Sequence, residues 1–184
     1  MDNGLEAYRR YLSGDDSAFV EIVRDYRDGL LLYLDSIVKN PAAAEELTED
    51  TFVKLGTKKP RFSGQSSFRT WLYTVGRNLA IDELRRQARR ETVPIDDCAE
   101  LADMETLEAA YLREERKLLV HRAMQRLKTE YRQALWLVYF AGFSDREAAA
   151  VMKKSTHAAE TMLYRARQAL KTELEREGYQ HENL

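Results

Sequence analysis

Between Phe68 and Arg86 the chain sets an aromatic cluster directly ahead of a basic one on helical spacing, a pairing of residue types that can stack bases and hold phosphates. Phe68, Trp71, Leu72, Val75 and Leu79 recur at steps of three and four, the spacing of one buried helix face. Tyr73, Arg77, Asn78, Arg85 and Arg86 fall largely outside that stripe. Arg69, Arg77, Arg85, Arg86, Arg89 and Arg90 stand against only Asp82 and Glu83, a local charge of +4 in a chain whose formal net charge is -2. Charge concentrated in this way fits a nucleic-acid partner.

A second basic cluster lies near the C-terminus. Ser144-Asp145-Arg146-Glu147 is a capping box that opens a short helix through Ala148, Ala149, Val151 and Met152, whose small residues admit a close neighbour. The turn Met152–Thr156 leads into a helix starting near Ser155, with Ala159, Met162, Leu163, Ala166 and Leu170 on its inward face. This is the pattern of a helix-turn-helix. From Lys153 to Lys171 five basic residues face the single acid Glu160, again +4.

The elements that must position these clusters are helical throughout. Gly and Pro are scarce while Leu, Ala, Glu and Arg are plentiful, which predicts an all-α chain. Asp15-Asp16-Ser17 can cap a helix carrying Phe19, Ile22, Val23, Tyr26, Leu30, Tyr33, Leu34 and Ile37 until Asn40-Pro41 stops it. A second helix is expected from about Ala42 to Lys58, with Glu45, Glu46, Glu49 and Asp50 clustered beside Leu47, Phe52 and Leu55. Such acids complement a helix dipole, and four together also suit a basic partner. The polar loop from Lys58 to Ser67 contains Gly64 and precedes the aromatic helix, which Ser66 or Ser67 can cap; it reads either as a plain connector or as a loop that approaches a nucleotide. Leu118, Leu119, Arg122, Ala123, Leu127 and then Leu135, Val138 and Tyr139 trace two further helices. Between the lobes, residues 91–110 hold seven acids, no Lys or Arg, and Pro94, the composition of a linker. It reads as a solvated tether or as an acidic shield over a basic groove.

With 184 residues, the chain has room for one ordinary domain or two small ones. Its lone Cys98 excludes an internal disulfide and a cysteine-built zinc site, and a reducing compartment fits. Three scattered histidines (His121, His157, His181) and no phosphate-binding glycine loop leave no catalytic constellation, so no enzyme and no cofactor are expected. No run is long and apolar enough to span a membrane and no export signal opens the chain, so a cytoplasmic protein without membrane insertion is expected.

Four motifs, Glu46-Leu-Thr-Glu-Asp-Thr-Phe52, Phe68-Arg-Thr-Trp-Leu-Tyr73, Arg77-Asn-Leu-Ala-Ile-Asp82 and Leu163-Tyr-Arg-Ala-Arg167, stand in an order and spacing that resembles bacterial extracytoplasmic-function sigma factors of the sigma-70 family. The resemblance spans nearly the whole chain. It implies a sigma region 2 domain over 1–90, the acidic flexible linker over 91–112, a sigma region 4 helix-turn-helix domain over 113–177 and a tail over 178–184. It further implies that Glu46, Glu49, Asp50 and Phe52 meet core RNA polymerase. The melted minus-10 strand would be held by Lys54, Phe62, Ser63, Gly64, Arg69, Trp71, Tyr73, Arg77, Asn78, Arg85 and Arg86. Phe68 and Trp71 can serve equally by packing beneath that site, whereas Tyr73 and Asn78 are expected to touch DNA. Duplex minus-35 DNA would be read by Lys153, Lys154, Ser155, Thr156, His157, Glu160, Thr161, Tyr164, Arg165 and Arg167, with His157 either a base reader or a solvent-facing neighbour of the cap. Members of this family are usually held inactive by an anti-sigma protein.

Three positions depart from the family's pattern: Lys153 where a glycine is common, and Glu160 and Met162 where basic residues are common. An acid facing DNA repels phosphate yet can accept from a cytosine amino group, so the promoter code is left open. A stand-alone helix-turn-helix regulator that dimerises through its first lobe is the alternative reading.

Overall fold

The computed structural model describes residues 3–62, 64–90 and 115–177. Among them every regular element is helical. The first lobe contains α1 (Asn3–Leu12), α2 (Asp16–Val38), α3 (Pro41–Lys58) and α4 (Phe68–Arg90). The second contains α5 (Glu115–Gln125), α6 (Thr129–Leu135) running into a π-helical turn (Trp136–Phe140), α7 (Asp145–Val151) and α8 (Thr156–Arg176). The expected linker, the tail, Ser63 and Cys98 lie outside the described residues.

The helix ends follow the capping residues. Asp15 accepts from the Ser17 amide to start α2, and Asn40 accepts from the Ala43 amide to start α3, with Pro41 in the first turn, where a missing N–H costs nothing. Lys39 and Lys59 close α2 and α3 in the left-handed region, at φ 52 and 41. Of the two serines offered as a cap for α4, Ser67 accepts from the Thr70 amide at 3.2 Å. Ser144 and Glu147 form the full capping box, and Ser155 caps α8.

The first lobe packs α2, α3 and α4 around Ile22, Leu30, Leu34, Ile37, Leu47, Leu55, Phe68 and Leu72. Close crossing is permitted at Gly76, where an added Cβ would lie 3.0 Å from Leu30, and at Gly29, where it would lie 2.7 Å from the Tyr73 hydroxyl. α1, which the motif reading passed over, adds Tyr8 and Tyr11; their hydroxyls donate to the Pro60 and Gly56 carbonyls at 2.6 and 2.8 Å. Burial and the neighbouring Tyr11 push the Tyr8 phenol up to about 12.

The two lobes are packed on each other. α7 lies on α4 and α6 lies on α2, and Leu137, Phe143, Ala148, Val151, Met152 and Leu163 join the same apolar cluster as the first lobe's core. A smaller cluster of Met124, Leu127, Leu135 and Ala166 holds α5, α6 and α8 together.

Candidate nucleic-acid interface

The loop ahead of α4 and the first turns of α4 form one side of the site. Trp71 is half-buried and its ring centroid lies 5.6 Å from Tyr8, 5.5 Å from Phe62 and 5.7 Å from Phe68. Phe68 is fully buried and also meets Tyr26 edge-on at 5.6 Å. The aromatic residues thus make a wall in which Phe68 packs from beneath, while Phe62 and Trp71 keep part of their surface open. Gly64, exposed with φ 73, turns the loop at a conformation an L side chain rarely adopts.

Further along α4, the basic residues named for phosphate are engaged within the chain. Arg69 donates to the Ala141 carbonyl and lies over the Phe143 ring at 4.3 Å. Arg77 Nε donates to Gln133 Oε1 at 2.8 Å. Arg85 and Arg86 pair along the helix with Asp82 at 3.4 Å and Glu83 at 2.8 Å. Pairs of this kind near the surface are worth about 0–1 kcal/mol, so they hold the two guanidinium groups only weakly. Asn78 is half-buried and Lys54 is exposed.

Tyr73 departs from the expectation of a direct contact. Its ring is 2% exposed, stacked on Tyr33 at 5.4 Å and met edge-on by Phe143 at 4.9 Å. Burial pushes its phenol up, with the nearby Arg69 charge opposing. In this arrangement of the lobes Tyr73 is part of the core, because α4 turns it toward α2 and the second lobe covers what remains.

The helix expected to face polymerase also divides. Glu46, Glu49 and Asp50 are exposed on α3, whereas Phe52 is buried at 6%. Phe52 instead floors an apolar groove of about 420 Å³ between α2 and α3, lined also by Phe19, Val23, Thr48, Val53 and Gly56. Val53, 59% exposed, is the apolar residue that α3 presents outward and that motif reasoning missed; the apolar excess on an acidic face was its signal.

On α8 the buried residues Ala159, Met162, Leu163 and Ala166 leave Ser155, Thr156, His157, Glu160, Tyr164, Arg165 and Arg167 exposed, with Thr161 half-buried between them. Met162, the position where basic residues are common, faces inward at 8% exposure. Lys153 holds φ 54 between α7 and α8, a left-handed geometry that glycine adopts most readily. Lys154 pairs with Glu130 at 3.1 Å, and Arg167 donates to the Tyr139 hydroxyl at 2.6 Å. A capped helix start with polar residues outward is the geometry that enters a major groove.

Sequence reasoning did not single out Lys39, Arg132, Gln133 or Phe143, all of which lie where the lobes meet. Arg132, 1% exposed, donates to the Ser36 and Leu127 carbonyls, one in each lobe. No local pattern marks such a residue.

Comparison with known proteins defines the class. Residues 22–90 match the family described as Sigma-70 region 2, and residues 117–170 match Sigma-70, region 4. The RNA polymerase sigma-H factor of Pseudomonas aeruginosa is 31% identical over 179 residues, covering 92% of this chain and 93% of that protein. The ECF RNA polymerase sigma factor SigM of Bacillus subtilis is 30% identical over 151 residues, covering 82% of this chain and 91% of its own. Among solved structures, the sigma factor RpoE in complex with the anti-sigma factor NepR from Bartonella quintana superposes with a TM-score of 0.70 at 25% identity, covering 85% of this chain and 96% of RpoE. CnrH in complex with the cytosolic domain of CnrY gives 0.65 at 26% identity, covering 94% and 95%.

The chain belongs to the sigma-70 family, and within it to the extracytoplasmic-function type. It is an RNA polymerase sigma factor, a transcription initiation factor that gives the polymerase its promoter specificity. Among the described residues there is no helix long and apolar enough to cross a membrane and no group of side chains arranged to hold a metal ion.

Proposed function

We propose that this sigma factor divides promoter recognition between its lobes as follows. The acidic face of α3 (Glu46, Glu49, Asp50) meets a basic surface of core polymerase, and the groove floored by Phe52 and edged by Val53 receives an apolar side chain from it. Phe62, Gly64 and Trp71 cradle a base flipped from the minus-10 strand. Aromatic stacking contributes about 1–3 kcal/mol per base, and Asn78 supplies an amide able to read an exposed base edge. Arg69, Arg77, Arg85 and Arg86 supply the phosphate-binding charge, an attraction that falls as salt rises. The start of α8 enters the minus-35 major groove through Ser155, Thr156, His157 and Glu160, with Tyr164, Arg165 and Arg167 on phosphate. The factor acts in the cytoplasm and has no catalytic centre of its own.

The observation that carries this reading is the outward polar and basic face of α8, presented behind a capped helix-turn-helix, on the same chain as an aromatic wall ahead of α4. One solved relative, RpoE, is in complex with the anti-sigma factor NepR, which supports an anti-sigma partner for this chain too. Run-off transcription tests the function: core polymerase plus this protein should start at one site on its promoter, with no other sigma factor present. A stand-alone regulator would give no specific start under those conditions.

A further inference from the structure

α1 precedes residues 22–90, the stretch that matches Sigma-70 region 2, yet it is built into the aromatic wall ahead of α4. Tyr8 is fully buried, and its ring lies 5.3 Å from Phe68 and 5.6 Å from Trp71, so one α1 side chain backs two members of that wall. Its hydroxyl donates to the Pro60 carbonyl at 2.6 Å, immediately after Lys59 closes α3 at φ 41. A single phenol therefore grips the entry to the loop that carries Phe62 and Gly64 and also supports the half-buried Trp71 ring. With its phenol pushed up to about 12, Tyr8 stays protonated at neutral pH and remains a donor.

Gly4 lets α1 come this close: an added Cβ would lie 2.5 Å from Phe68 Cδ1 and would also meet the Tyr26 hydroxyl. One turn beyond Tyr8, Tyr11 makes a bond of the same kind at a different place. Its hydroxyl donates at 2.8 Å to the Gly56 carbonyl, whose helical partner four residues on would be Pro60, a residue with no N–H. The Tyr11 ring meets Phe19 at 4.9 Å and the Lys59 ammonium at 4.6 Å. Tyr11 thus ties α1 to the body of α3, and Tyr8 ties it to the loop and the wall.

We propose that Tyr8 is a positioning residue for the base site: it fixes the loop against the Trp71 indole, so that Phe62, Gly64 and Trp71 are arranged before a base arrives. An aromatic wall set in advance loses less freedom on binding and so keeps more of its stacking energy as affinity. That a minus-10 base is received there rests on the function proposed above; the grip on the loop does not.

Tyr8→Phe keeps the ring against Phe68 and Trp71 and removes only the bond to Pro60. Tyr11→Phe removes the comparable bond to Gly56 and is the control. Two readouts are taken on the full chain. In a Trp136→Phe background Trp71 is the single tryptophan, and acrylamide quenching of its emission reads how firmly the loop is held beside it. On core polymerase, the ratio of affinities for a short fluorescein-labelled oligodeoxyadenosine and for an abasic oligomer of the same length separates the bases from the phosphates. Tyr8→Phe should raise the quenching with helix content unchanged and lower the ratio about five-fold, with the abasic oligomer bound as before. Tyr11→Phe should leave both readouts as in wild type. Equal effects of the two variants, equal loss on both oligomers, or an unchanged ratio overturns the proposal, because each is what a merely structural tyrosine would give. Failure of run-off transcription with the rise in quenching preserved would instead reject the functional assignment and leave the grip on the loop standing.

Discussion

Lys153 holds φ 54 in the turn between α7 and α8, a conformation that crowds the Cβ of an L residue against its own backbone at a cost of about 1–2 kcal/mol. Glycine removes that crowding and loses part of the gain to unfolded-state entropy, so Lys153→Gly should stabilise the chain by roughly 0.5–1 kcal/mol in a denaturant titration. The same change should weaken minus-35 binding if Lys153 holds a phosphate, lowering the salt slope of log K by about 1. A slope identical to wild type would remove Lys153 from the DNA surface. At Asn78 the expected signature differs: Asn78→Ala should reduce discrimination between matched and mismatched minus-10 elements more than it reduces overall affinity. Equal loss on both promoters would reject base reading there. The sequence marked Asn78 and the aromatic wall because their types and spacing are local. It misplaced Tyr73, because leaving an apolar stripe says only that a side chain avoids one face. Here the other face is covered too, by Tyr33 and Phe143.

At the scale of the element, the helix ends were readable and their relations were not. Asp15, Asn40, Ser144 and Ser155 each satisfy an amide within three residues, so short-range chemistry determines where α2, α3, α7 and α8 begin. The π-helical turn from Trp136 to Phe140 had no such signal; in it Trp136 and Phe140 stack at 4.6 Å, and the wider backbone spacing follows from packing rather than from propensity. The capping box of α7 makes a pH prediction. The Ser144 amide first, its hydroxyl second and the charge of Arg69 also hold the Glu147 carboxyl below its usual 4.5. A depressed folded value means that the contribution is complete above about 4.5 and is lost as pH falls through the folded value. Thermal melts followed by circular dichroism from neutral to acidic pH should therefore fall less steeply for Glu147→Gln than for wild type below that point, while at neutral pH the variant loses up to about 1 kcal/mol. Parallel curves would mean that Glu147 adds no charged stabilisation. On α3, replacing Glu49 and Asp50 together by lysine should lower core-polymerase affinity about ten-fold, roughly 1.4 kcal/mol, with the difference shrinking at high salt. No change at low salt would move the docking surface off this face.

At the scale of the whole molecule, the two-lobe division was legible because the charge pattern changes sign twice along the chain, basic to acidic to basic. Their mutual packing was not, because it depends on residues such as Lys39 and Gln125 that are far apart in sequence and carry no shared motif. That packing has a thermodynamic consequence. The apolar cluster runs without a break from Leu30, Leu34 and Tyr73 in the first lobe to Leu137, Phe143 and Val151 in the second, so neither lobe can unfold without exposing surface that the other buries. Burial of apolar area contributes roughly 25 cal/mol per Å², and surface shared between lobes couples their stabilities. Differential scanning calorimetry of the full chain should therefore show one transition whose van't Hoff and calorimetric enthalpies agree. Phe143→Ala removes the ring that meets Tyr73 and Arg69, so it should split the profile into two overlapping transitions and not merely lower one midpoint. Two separated transitions in the wild-type chain would show that the lobes fold as independent bodies, and a single lowered transition in Phe143→Ala would place the coupling elsewhere along the seam, at the Arg132 bridge.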